Sequence, residues 1–348
     1  EDRSLGERNS LEAVSIEHKL GIHGCATCVM NFEDATGYLV GEMNQGLSCM
    51  FTMMNDARIG VACESVAIAE RAYQQALTFA KDRVQGEAHG QKGRITIIHH
   101  PDVRRMLLKM RSHIEIMRVL VYVNTLELDL AEDDQGHSKR ADLLTPITKG
   151  WCSELCQEIT SIGLQIHGGM GYVEETGAAQ HFRDSRITTI YEGTTGIQAN
   201  DLIGRKVIGD QGQELRKLIA DISSEINALD AHEQRLQLIK ESMIHSIAVV
   251  EKSLDYILQE QPNDPFLAGS VSYSFLMMMG TFMGGWIATR SAALAIINLK
   301  NTEDSEFYEA KLVSSTFFIE QSLPLVDAYS RSLMSGSVST MTLSEDQF

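Results

Sequence analysis

The sequence predicts a mainly α protein: a four-helix bundle followed by a second helical domain, with a short β remnant at the N-terminus. Two observations carry this. From about Leu47 onward apolar residues recur at three- and four-residue steps, the period of one helix face, whereas polar–apolar alternation is confined to the region before it. Only five prolines interrupt 348 residues, and the good helix formers Ala, Leu, Met and Gln are frequent.

The β segment comes first. Residues between Leu11 and Phe32 are rich in β-branched and short side chains, and alternation is clearest from Ala26 to Phe32. Asp34-Ala35-Thr36-Gly37 supplies a turn, and Tyr38-Leu39-Val40 reads as a further short strand. Strands so few do not make a stable sheet alone. The first helix carries Ala62, Ser65, Val66, Ala69, Tyr73, Ala76 and Ala80 on one face, small enough for close helix approach. Pro101 marks the start of the second, whose stripe is Leu107, Met110, Ile114, Met117, Val121 and Leu128. Glu132-Asp133-Asp134-Gln135-Gly136-His137 reads as an exposed linker. A third helix is expected from about Thr148 to Gln165, closed by Gly168-Gly169, and a fourth from near Thr195 to Val207. Helices of this length and spacing make a four-helix bundle.

Beyond Gly209-Asp210-Gln211-Gly212 the helical period resumes in Leu215, Ile219, Ile222 and Ile226, and again in Leu236, Ile239, Met243, Ile247 and Val250. The stretch from Phe266 to Thr289 has no charge and the length of a membrane span. Its serines, its glycines at 269, 280, 284 and 285, and its Met-rich face point instead to a buried helix, with Gly280-x3-Gly284 admitting a close neighbour. The expected domains are 1–46, 47–208 and 209–348.

Charge and cysteine usage narrow the function. Forty-seven acidic against thirty basic residues leave a net charge of −17, which disfavours phosphate-neutralising nucleic-acid surfaces and attraction to anionic membranes. A 43% hydrophobic composition at this length buries a sizeable core. Six cysteines do not make a disulfide framework in a chain this long. Cys25 and Cys28 have metal-like spacing and His18 and His23 nearby, but a structural zinc site needs a second ligand pair, and none of suitable spacing is present. Cys152 and Cys156 share a helical face with Leu155 and Ile159 and read as core residues. The expectation is a reduced, cytoplasmic protein without a membrane span.

The candidate chemistry lies in Ile190-Tyr191-Glu192-Gly193-Thr194-Thr195-Gly196-Ile197-Gln198. Glu192 is the only charge between Ile187 and Gln198, and Gly193 leaves room for close approach of a ligand to the backbone. An unpaired loop glutamate is ordinarily a solvated surface group. Partial desolvation turns the same carboxylate into a stronger base. Upstream, Gln165-Ile166-His167-Gly168-Gly169-Met170-Gly171-Tyr172 packs glycines tightly, followed by Arg183-Asp184. Such glycines either cap helices or lie against a nucleotide or thioester ligand. No strand precedes them and the spacing is not G-x-G-x-x-G, so a nicotinamide Rossmann site is a poor fit.

QIHGGMGY from Gln165 and FRDSRITTIYEGTTGIQ from Phe182 closely resemble the end of the acyl-CoA dehydrogenase flavoprotein family. Three further blocks are similar: Met53-Met54-Asn55-Asp56-Ala57-Arg58, Asp82-Arg83-Val84-Gln85-Gly86 (without the usual Phe before the Gly), and Glu17 to Gly24. The resemblance runs nearly end to end and is weakest after about residue 210. It implies an FAD enzyme that converts an acyl-CoA to a trans-2-enoyl-CoA, with Glu192 as the base removing the α-proton. The Glu192 amide and a flavin hydroxyl would polarise the thioester carbonyl. By the same resemblance Asn55, Arg58 and Gly193 are substrate-side, Asn55 standing where Asp is more common. Arg83 and Gln85 meet the flavin pyrophosphate of a neighbouring subunit, Gln165, Gly168 and Gly169 the adenine side, and Thr194 and Gly196 the flavin near the base. Electron-transfer flavoprotein as acceptor and a homodimer or dimer of dimers are also implied. The long C-terminal region resembles a bacterial subgroup acting on unusual or short acyl-CoAs, methylthiopropanoyl-CoA among them. Most of a β-domain and a helical domain would precede this chain, so it reads as the C-terminal part of a longer protein that by itself binds FAD weakly or not at all. Two alternatives share the pattern: an acyl-CoA oxidase, and a noncatalytic nucleic-acid-associated relative, which the acidic balance disfavours. A purely structural bundle leaves the Glu192 loop and glycine motif without a reason.

Overall fold

The computed structural model describes residues 4–87, 93–230, 232–299 and 304–348. Strand β1 (Leu11–Ile16) pairs antiparallel with β2 (Cys28–Phe32), Leu11 opposite Phe32 and Ile16 opposite Cys28, with an irregularity between Ala13 and Ser15. The third expected strand does not form. Tyr38, Leu39 and Val40 are 89%, 70% and 86% exposed and have no ladder partner among the described residues, so alternation alone cannot hold them extended in a sheet.

Helices α1 (Gly46–Asp82) and α2 (Pro101–Leu130) follow, the latter opening on Pro101, where a missing N–H costs nothing. Both face each other and α3 (Gln135–His167). The two stripes read from the sequence are their contact faces: Ala62, Ala69, Ala76, Ala80, Met110 and Met117 are all fully buried. Helix α3 starts well before Thr148. Its N-cap Asp134 accepts the Gly136 N–H at 2.7 Å, so half of the expected linker, from Gln135 to His137, is helix. Pro146 lies inside α3 and removes one helical hydrogen bond. Burial of Leu143, Leu144 and Ile147 around it offsets that loss, and Arg140 anchors the turn to Glu214 and Asp221 at 2.8 Å each.

Helix α4 (Ala178–Ser185) bridges α1 and α3, and α5 (Thr195–Asn200) runs on as a π-helical turn over Asp201–Ile208. The second helical region comprises α6 (Gln213–Ala228), α7 (Gln234–Glu260), α8 (Leu267–Leu299), α9 (Ser305–Gln321), α10 (Leu325–Leu333) and the short α11 (Val338–Met341). By length and composition α8 could cross a membrane, but 89% of its most apolar window is buried inside the protein. It packs on α2, α3, α5, α7, α9 and α10. Its glycines are what admit the neighbours: a Cβ at Gly280 would enter the Trp151 ring of α3, and one at Gly284 would lie 2.6 Å from Phe318 of α9. One continuous apolar core therefore runs from Ile59 through Trp151 to Leu333.

Cys152 and Cys156 sit fully inside this core, and burial pushes the Cys156 thiol up to about 12. Cys25 is exposed and Cys28 half-buried at the hairpin.

Candidate active site

The segment from Arg186 to Gln198 crosses from α4 to α5 in a tight path. Glu192 has φ +55° and Gly193 φ +88°, consecutive left-handed residues. A side chain in that region costs about 1–2 kcal/mol and persists only where the surroundings over-determine it. Two side chains do so. Lys149 of α3, 0% exposed, donates to the carbonyls of Thr188 at 2.8 Å and Gly193 at 2.7 Å. Gln198 of α5, also buried, donates from Nε2 to the carbonyls of Glu192 at 3.2 Å and Gly193 at 3.3 Å. Thr194 caps α5 by accepting the Ile197 N–H at 3.3 Å, and Thr195 donates to Glu154 at 2.6 Å. Tyr191 donates its hydroxyl to Glu64 of α1, and its own ionisation is pushed up by burial and that bond.

Glu192 itself is half-buried. Its amide N–H meets no acceptor among the described residues. A Cβ at Gly193 would lie 2.6 Å from Gln198 Nε2, so the missing side chain makes room for Gln198.

Beneath the turn the charges are internal. Arg58 of α1, 5% exposed, donates to Asp201 at 3.1 Å and leans toward Asn55 at 3.5 Å; Asp201, 4% exposed, also receives Arg205 at 2.7 Å. Burial pushes the Lys149 ammonium down to about 8; Arg58 adds to the shift, and Glu154 and Glu192 oppose it. Two buried polar atoms are left without partners, Arg58 Nε and Gln198 Oε1. Such atoms are uncommon in a folded protein and call for a water or ligand.

A second group gathers elsewhere. Arg83, Gln85, Gln165, Gly168 and Gly169 line one cleft of about 690 Å³ between the end of α1 and the end of α3. The Gln85 carbonyl meets His100 Nε2 at 2.8 Å, fixing the turn after α1. Gly168, φ +59°, caps α3 with its N–H on the Gln165 carbonyl. A Cβ at Gly168 or Gly169 would meet no atom within 4 Å, so the backbone there is open to the cleft. Thr194 and Gly196 are exposed beside the Glu192 turn and do not line this cleft. Asp184 ties the N-terminal segment to α4 by accepting the Ile22 N–H at 2.6 Å.

Residues 44–208 match the model of the acyl-CoA dehydrogenase C-terminal domain, and residues 213–344 that of the acetyl-CoA dehydrogenase C-terminal-like domain. The chain belongs to the acyl-CoA dehydrogenase family. It is 44% identical over 330 residues to a 3-methylmercaptopropionyl-CoA dehydrogenase from Ruegeria pomeroyi, a match covering 93% of this chain and 56% of the relative. A broad-specificity linear acyl-CoA dehydrogenase from Mycobacterium tuberculosis is 32% identical, with 92% and 56% covered. The chain thus spans little more than half the length of these curated relatives. The acyl-CoA dehydrogenase of Bacillus anthracis, solved with FAD, shares the fold at a TM-score of 0.72 and 20% identity, over 96% of this chain and 59% of that one.

Within this acyl-CoA dehydrogenase fold, sequence reasoning missed Lys149, Gln198, Glu154 and Asp201. Lys149 had a signal: a lone cation on the apolar α3 face shared with Thr145, Cys152 and Ser153, all buried. Asp201 had none, since its partner Arg58 lies on α1.

Proposed function

We propose that the protein containing this chain carries out FAD-dependent α,β-dehydrogenation of an acyl-CoA thioester to the trans-2-enoyl-CoA, with Glu192 as the base. The observation that carries this reading is a half-buried carboxylate whose own amide N–H has no acceptor among the described residues. A thioester oxygen accepting from that N–H becomes polarised, and the adjacent α-C–H becomes acidic enough to lose its proton to the Glu192 carboxylate. Substrate seated on the turn displaces water, which strengthens both interactions. Bound FAD supplies acceptance of the β-hydride.

The cleft residues fit the flavin nucleotide by their chemistry. Arg83 offers a cation and Gln85 and Gln165 offer amides, while the open Gly168 and Gly169 backbone admits close approach of a pyrophosphate. In a chain of net charge −17, an anionic cofactor needs such a local cation. The cleft stands apart from the Thr194 and Gly196 side of the base turn. This supports a homodimer or dimer of dimers in which each cleft serves a neighbour's flavin. Asn55 and Arg58 act from the substrate side. Domain limits of 1–46, 47–208 and 209–348 follow this reading, as do electron-transfer flavoprotein as acceptor and a reduced, cytoplasmic setting; all six cysteines are free thiols. The Ruegeria pomeroyi relative's name supports short, sulfur-bearing acyl groups as the substrate class.

Glu192→Gln in the flavin-loaded protein abolishes anaerobic flavin reduction by acyl-CoA and leaves FAD bound. Substantial reduction by that variant in stopped flow would sink the assignment. Peroxide released on substrate addition in air would favour the oxidase alternative.

A further inference from the structure

We propose that Lys149 is a positioning residue for the base: its buried amino group pins the Thr188 and Gly193 carbonyls and so holds Glu192 in its left-handed turn. The inference rests on the reading of Glu192 as the base. Its geometric ground is that one nitrogen reaches the backbone on both sides of that residue, at 2.8 Å to Thr188 and 2.7 Å to Gly193. Its neighbours on α3, Thr145, Cys152 and Ser153, are buried and uncharged. A charge taken fully out of water is costly unless it is hydrogen-bonded, and Lys149 has its bonds to the Thr188 and Gly193 carbonyls.

The charged groups acting on Lys149 are Arg58 from α1, Glu154 from its own helix, and Glu192 from the turn. Arg58 is already committed to Asp201, and Glu154 accepts from Thr195. Glu192 has no ion-pair partner among the described residues, so the Lys149 field falls on a free carboxylate. The two carbonyl bonds from Lys149 fix where the Glu192 amide stands.

The test uses the flavin-loaded protein with Lys149→Gln and Lys149→Arg. The glutamine variant should reduce flavin about 100-fold more slowly, as loss of a reacting group's placement does. KM should change little. Arginine, which keeps N–H donors within reach of the two carbonyls, should restore much of the rate. Independently of turnover, amides of residues 188–195 should exchange faster in the glutamine variant while those of α3 do not change. A wild-type rate, or a slower rate with loop exchange unmoved, overturns the proposal. If the glutamine variant does not fold, Lys149→Met, which matches the volume without burying a charge, is read in the same ways. Glu192→Gln is the control that separates the two readings. If it still reduces flavin, the base assignment fails whatever Lys149 does; if it does not, and Lys149→Gln behaves as wild type, only the positioning role fails.

Discussion

Around Glu192 the chain supplies its own partners, whereas in the cleft beside Gly168 it leaves them open. Lys149 and Gln198 between them make four bonds to three carbonyls, of Thr188, Glu192 and Gly193, and even the space over Gly193 is filled by Gln198. In the cleft the Gly168 and Gly169 backbone faces empty volume, and no salt bridge among the described residues holds Arg83. Under the proposed function, the difference matches two kinds of work. A base must stand where the reaction needs it before substrate arrives, so its turn is tied internally. A nucleotide cleft gains affinity from donors that are unsatisfied until the ligand binds.

Three substitutions break or sharpen that contrast. The largest effect is expected at Asp201→Ala, which leaves the buried Arg58 without its carboxylate. Removing one partner of a buried pair costs about 3–5 kcal/mol, read from urea unfolding; a loss below about 1 kcal/mol would mean the pair does not hold α1 to the π-helical turn after α5. Next comes Gly193→Ala. It adds positive-φ strain and pushes Gln198 from its carbonyls, for about 2 kcal/mol in all, against about 1 kcal/mol for Gly168→Ala, where strain acts alone. Equal losses would erase the distinction between a packed turn and an open one. The smallest change in stability belongs to Arg83→Gln, within about 0.5 kcal/mol. That variant should nonetheless weaken FAD binding about tenfold in a fluorescence titration, since a charge-assisted bond to an anion is lost.

Much of the helical architecture was legible because it rests on local periodicity. The α1 and α2 stripes and the α8 glycines needed only spacing and side-chain size, and each lies where one helix meets another. Boundaries set by tertiary contacts were not legible. Pro146 argues for a helix start after it, yet burial of Leu143 and Leu144 and the Arg140 ion pairs carry α3 back to Gln135. Tyr38 to Val40 have strand character without a strand to pair with. The site divides the same way. The two blocks were singled out by the resemblance as separate contacts, and the structure brings Arg83, Gln85, Gln165, Gly168 and Gly169 to one surface. The support of Glu192 was hidden because Lys149 precedes it by more than forty residues.

The interlock of α8 has a thermodynamic consequence. Gly280 receives Trp151 two residues after Lys149, and Gly150, between them in sequence, has its Cβ position 2.6 Å from Leu276 of α8. The helix that anchors the base turn therefore cannot loosen without opening the core of the C-terminal helices, and those helices cannot melt without exposing α3. Heat should unfold the two regions in one cooperative transition, and a ligand gripped at Glu192 should raise the melting temperature of α8 to α10 as much as that of the turn it touches.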